Sequence, residues 1–137
     1  MGLSAFYFID KITEIKKNEE LTAFYTLKDD EEFLEDHFKG FPVMPGVLLL
    51  EALKQAAFAL LVDSSGSRKS FFRLTAVRDV RFGRFVRPGD RLRIWVRFLK
   101  SENSLHFLEG RIDSPSLDKG KTLSAELVFQ AGGLFEK

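Results

Sequence analysis

The chain has 137 residues, 45% hydrophobic and 30% charged, with 21 Lys/Arg against 20 Asp/Glu for a formal net charge of +1. That length suits one domain over residues 1–137, with a core burying roughly two thirds of the unfolded surface. The absence of cysteine excludes disulfides and Cys-based zinc sites, and no stretch reads as a secretory leader, membrane span or myristoylation signal, so a reducing cytoplasm is expected.

In chain order, extended segments are predicted near residues 5–16 and 20–28. The acidic run Asp29-Asp30-Glu31-Glu32 with Glu35-Asp36 lacks the interleaved spacing and Gly of a calcium loop and reads as a solvated loop. Next, His37-Phe38-Lys39-Gly40-Phe41-Pro42-Val43-Met44-Pro45-Gly46-Val47-Leu48-Leu49-Leu50-Glu51 delivers a histidine by loop to the start of a helix predicted near 46–62. From Val47 to Val62 only Glu51, Lys54 and Gln55 are polar, the pattern of a helix enclosed by its own protein, which makes Glu51 a candidate buried acid. Such a carboxylate persists because it is paired or because its perturbed acidity is used. Two arrangements fit the spacing: Glu51 pairs with Lys54, three residues on, or Gln55, four residues on, hydrogen-bonds and orients the acid. Pro45 suits a first helical turn, and Gly46 lets a ligand approach the unpaired N–H groups there. A helix start of this kind can receive a developing oxyanion.

The stretch Asp63-Ser64-Ser65-Gly66-Ser67 is predicted to end the helix, and four extended segments follow. Leu92, Ile94, Val96 and Phe98 alternate with Arg91, Arg93, Trp95 and Arg97, the period of a strand with one apolar face. Residues 104–113 and 121–130 read similarly, joined by a turn around Ser114-Pro115 and Lys119-Gly120. His106, the one histidine besides His37, reads as a strand residue without catalytic duty. One long helix and about six antiparallel strands imply an α+β domain whose sheet wraps the helix. The fifteen Phe residues read mainly as core packing.

Charge is uneven along the chain. Residues 1–67 hold 6 Lys/Arg and 12 Asp/Glu, whereas residues 68–97 hold 10 and 2. This basic band fits either solvated strand faces or a surface for an acidic partner. Nucleic acid is disfavoured, because the net charge is small and none of the recognised binding motifs is present.

The run from His37 to Gln55 resembles the active-site segment of the FabZ-type 3-hydroxyacyl-acyl-carrier-protein dehydratases: His-Phe-Pro-Gly, then Pro, then Pro-Gly-Val-Leu, then Glu-Ala and a Gln. Phe8-Ile9-Asp10-Lys11-Ile12 is similar to the family's early strand, and Arg81-Phe82-Gly83-Arg84-Phe85-Val86-Arg87-Pro88-Gly89-Asp90 resembles its later strand and Pro-Gly-Asp turn. The fourteen-residue interval between His37 and Glu51 is the family's interval. Val43-Met44-Pro45-Gly46 resembles the related FabA-type enzymes, which also isomerise the product double bond, but those place Asp where this chain has Glu51, so a plain dehydratase is the better match. Lys39 stands where the family has Pro, adding a positive charge that favours a neutral, basic His37.

The resemblance implies a hotdog fold and dehydration of a (3R)-hydroxyacyl thioester to the trans-2-enoyl product, in primary fatty-acid synthesis or a specialised lipid pathway. It makes His37 and Glu51 the catalytic pair, places Gly46 and Val47 at the thioester carbonyl, and leaves Gln55 to orient the acid. Phe82 and Phe85 would line the acyl channel. The implied partner is acyl carrier protein, with the substrate on its phosphopantetheine arm and no metal or other cofactor. The implied assembly is a homodimer with shared active sites, or a trimer of such dimers. A hotdog thioesterase and a non-catalytic acyl or carrier-protein binding module are the alternatives.

Overall fold

Strict alternation and β-branched content build the sheet, and the one long apolar run fills it. The computed structural model describes residues 7–28, 44–66, 71–114 and 121–132. Six strands and one helix follow in the order β1 (Lys11–Lys16), β2 (Glu20–Thr26), α1 (Gly46–Ser65), β3 (Phe71–Phe82), β4 (Arg91–Glu102), β5 (Leu105–Asp113) and β6 (Lys121–Gly132). All pairings are antiparallel, and the strand order is β1-β2-β4-β5-β6-β3. This is the α+β hotdog arrangement that the resemblance implied, and no helix among the described residues is long and apolar enough to cross a membrane.

The helix-facing side of the sheet is formed by Leu21, Ala23 and Tyr25 of β2, Leu92, Ile94 and Val96 of β4, and Leu108 and Ile112 of β5, all buried as their period-two spacing requires. Gly110, midway along β5, lets the helix approach most closely. A Cβ there would stand 2.8 Å from Leu53 Cδ2, inside any tolerable contact. The β4–β5 hairpin turns on Asn103 and Ser104, both at positive φ, the two-residue geometry that matches strand twist. Strand β1 begins only at Lys11 and is exposed throughout. The buried Phe8 and Ile9 precede it, with Phe8 edge-on to Tyr25 at 5.3 Å.

Two helical expectations change. The helix runs past Val62 to Ser65 and stops at Gly66, whose left-handed backbone provides the C-cap, so Asp63–Ser65 form its last turn. Nor is α1 enclosed on every side. Leu49, Ala52, Leu53, Ala56, Ala57, Leu60 and Leu61 face the sheet, while Val47 and Phe58 are exposed and Glu51 retains about a third of its side-chain surface. One sheet covers one face of a helix, and an almost wholly apolar helix needs a second surface to cover the rest. The Phe reading is likewise only partly met: Phe8, Phe107 and Phe129 are buried, but Phe58, Phe71, Phe82 and Phe85 are exposed.

Candidate active site

The helix start is set by Pro45, which acts as N-cap in extended conformation rather than as the first helical residue, with no side-chain cap. Its carbonyl accepts from the Leu48 and Leu49 N–H groups, so the Gly46 and Val47 N–H groups project from the open end. Gly46 allows a close approach: a Cβ at this position would lie 2.9 Å from Cε1 of the exposed Phe82 ring, which would have to shift. A bulge between Arg78 and Arg81, with Asp79 in left-handed backbone, bends β3 just before Phe82 reaches this position.

Glu51 lies in the second turn, and both arrangements allowed by its spacing occur together. Lys54 Nζ is 3.2 Å from Glu51 Oε1, and Gln55 Nε2 donates to Glu51 Oε2 at 3.0 Å. Gln55 is fixed in turn, because its Oε1 accepts from the buried Phe8 N–H at 2.7 Å. That bond also assigns the amide orientation: the oxygen meets a backbone donor, leaving the nitrogen to donate to the carboxylate. The carboxylate is therefore held at both oxygens while remaining part-exposed, which corrects its expected burial within the chain. Phe8, 47 positions from Gln55, carried no sequence signal for this role, since backbone N–H groups look alike in every residue. His37, Lys39 and the acidic run 29–36 lie outside the described residues, as does residues 115–120 of the expected turn.

Two hollows flank this region. One, of about 540 Å³, runs along the open helix face and the edge of β3, lined by Gln55, Phe58, Phe72, Leu74 and Phe129 among others. The second, of about 550 Å³, is bounded by Gly83, Arg84, Phe85, Arg87, Pro88 and Asp90. Phe85 thus lines the second hollow and Phe82 abuts the helix start, whereas the aromatic hollow beside Gln55 is built from residues that the sequence did not single out. His106 sits in β5 as expected, its Nδ1 2.6 Å from Ser101 Oγ, and burial pushes the imidazole below its usual 6.5.

Part of the basic band is taken up within the sheet. Arg78 pairs with Glu126, Arg93 with Asp113 and Arg97 with Glu109 across neighbouring strands, and Arg91 stacks 4.0 Å over the Phe24 ring. Arg81 and Arg84, which bracket Phe82 and Gly83, have no ion-pair partner among the described residues.

The profile of the FabA-like domain matches residues 2–114, spanning both the helix start and Glu51. The chain belongs to the FabA-like family. Among curated relatives of this FabA-like chain, the 3-hydroxyacyl-[acyl-carrier-protein] dehydratase FabZ of Nitratidesulfovibrio vulgaris is 38% identical over 128 residues, covering 92% of this chain and 80% of the relative. The FabZ of Levilactobacillus brevis is 34% identical over 122 residues, with coverage of 89% and 80%. Among solved structures, the dehydratase heterocomplex ApeI:P from Xenorhabdus doucetiae superposes with a TM-score of 0.74 at 18% identity, over 94% of this chain and 85% of that one, which shows that the FabA-like fold is shared.

Proposed function

We propose that the protein is a 3-hydroxyacyl-[acyl-carrier-protein] dehydratase acting in fatty-acid or related lipid biosynthesis. The observation that carries this reading is Glu51, oriented by the Gln55 amide one turn beyond an open helix start, in a chain of the FabA-like family. The Gly46 N–H, with that of Val47, receives the thioester carbonyl and stabilises negative charge as it builds there. His37 takes the C2 proton, electrons from that C–H bond form the C2–C3 double bond, and the C3–O bond breaks. Glu51 gives its proton to the departing oxygen, which leaves as water. Solvent returns a proton to Glu51 and removes one from His37. The chemistry asks for no metal or redox group, and the substrate arrives on the phosphopantetheine arm of its carrier.

The working unit in this reading is a two-fold dimer. Strand β3 is a twelve-residue sheet edge, with Phe71, Val80 and Phe82 exposed along it, and the adjoining helix face leaves Val47 and Phe58 open. A second copy laid on both surfaces would bury apolar area and extend the sheet, and in this reading the partner subunit supplies the histidine that acts with Glu51. The acidic carrier docks at Arg81 and Arg84, beside Phe82 and the helix start, because Arg78, Arg93 and Arg97 are already paired with Glu and Asp neighbours.

The 3.2 Å contact between Lys54 and Glu51 favours a second reading, a thioesterase in which the Glu51 carboxylate activates water. Incubation with a (3R)-hydroxyacyl carrier separates the two. A dehydratase yields a conjugated enoyl thioester without thiol release, whereas release of free carrier thiol without enoyl formation would replace the proposed reaction by hydrolysis.

A further inference from the structure

Glu51, Gln55 and Phe58 stand at i, i+4 and i+7, on one face of α1. The 540 Å³ hollow begins at this face, shares Gln55 with the Glu51 hydrogen-bond chain, and is otherwise lined by the apolar Phe58, Phe71, Phe72, Leu74 and Phe129, with Lys54 and Arg73 as its two cations. A largely apolar trough that starts at Lys54 and Gln55, the two residues that contact the proposed proton donor, suits the hydrocarbon tail of the substrate.

Phe58 remains 42% exposed and meets the Phe72 ring edge-on, with centroids 6.4 Å apart and planes at 83°. Phe72 is braced from behind. Its ring meets His106 at 5.7 Å, His106 lies 6.0 Å from Phe98, and Ser101 holds the imidazole. The four rings form a continuous line from helix to sheet, so the Phe58–Phe72 pair is supported against displacement. That line also gives His106 a packing role, with burial favouring its neutral form.

We propose that the Phe58–Phe72 pair is the end wall of the acyl-chain site and sets the longest chain accepted. The inference rests on the dehydratase reading above. Phe58 lies seven residues beyond Glu51, about 10 Å along the helix axis. Carbon–carbon bonds of about 1.5 Å at tetrahedral angles advance about 1.25 Å each, so about eight bonds separate C3, held at Glu51, from the wall. Chains of up to about eleven carbons reach the wall without displacing it.

The test measures kcat/KM of the full-length protein for (3R)-3-hydroxyacyl pantetheine thioesters, lengthened two carbons at a time through and beyond that point. The wild type falls off past the wall. Phe58→Ala extends the range, each newly buried methylene contributing about fourfold relative to the shortest substrates. Phe72→Leu moves the profile in the same direction and serves if Phe58→Ala does not fold. A uniform loss at every length, an unmoved profile in both variants, or a change confined to dimer dissociation would overturn the wall. Calorimetric binding of saturated acyl pantetheine thioesters distinguishes the two levels of inference. A length profile that moves with Phe58 in a protein that does not dehydrate keeps the wall and removes the reaction, whereas dehydration indifferent to Phe58 does the reverse.

Discussion

Replacing Gln55 by methionine keeps the side chain's length and removes both its hydrogen bonds, the 3.0 Å bond to Glu51 Oε2 and the 2.7 Å bond from the Phe8 N–H. The second loss acts on stability: Phe8 is 1% exposed, and taking the acceptor from a buried N–H costs about 1–3 kcal/mol. For a chain of this size that lowers Tm by about 3 to 12 °C, readable by circular dichroism. The first loss acts on chemistry. Glu51 keeps only its Lys54 contact, and misplacing a proton donor by a fraction of its bond length lowers kcat by about tenfold to a hundredfold. Gln55→Glu separates the two effects, because its carboxylate still accepts from Phe8 but has no N–H to donate to Glu51. It loses less Tm than Gln55→Met and is equally slow. A Gln55→Met protein with wild-type Tm and turnover would refute the relay from Phe8 through Gln55 to Glu51.

Gly110→Ala drives a methyl group into Leu53 and Leu127 where the helix meets the sheet, and overpacking there lowers unfolding free energy by about 1–3 kcal/mol in urea titration without altering the site. His106 makes the fold sensitive to mild acid. Its imidazole is depressed below 6.5 in the folded chain, so the unfolded chain binds the proton first, and stability falls as pH drops from 6.5 towards the depressed value. Urea midpoints across that window show the slope, and His106→Gln removes it. Arg84→Glu combined with Arg81→Glu weakens carrier-linked substrates far more than pantetheine thioesters, and added salt does the same to the wild type. Arg93→Glu, which disrupts an exposed strand pair, leaves the carrier KM unchanged.

The strands were readable because their signal is local. Leu92, Ile94 and Val96 alternate with Arg91, Arg93, Trp95 and Arg97, and each of the three is fully buried. The helix and its polar residues were readable for the same reason, but the partners of Glu51 were only half so. Lys54 and Gln55 follow from helical spacing, whereas the Phe8 N–H reaches Gln55 through the closing of the sheet over the helix. Burial of Glu51 was misjudged because an apolar helix reports how much cover it needs and not whether its own chain supplies it. The basic band shows the converse limit. Charge density along the sequence cannot reveal that Arg78, Arg93 and Arg97 meet acids from β5 and β6, since those pairs depend on strand register.

Mixing His37→Ala with Glu51→Ala subunits, under conditions where native mass spectrometry shows exchange, asks whether these two residues form one dehydrating site across two chains. A mixed dimer then holds one site lacking both residues and one site intact. With equal random mixing half the dimers are mixed, so about a quarter of wild-type dehydration returns, although each variant alone is slowed by about two to four orders of magnitude. Return of enoyl thioester at that level is the predicted result. No return despite verified exchange would contradict the shared site, and near wild-type dehydration by either variant alone would contradict the role assigned to that residue.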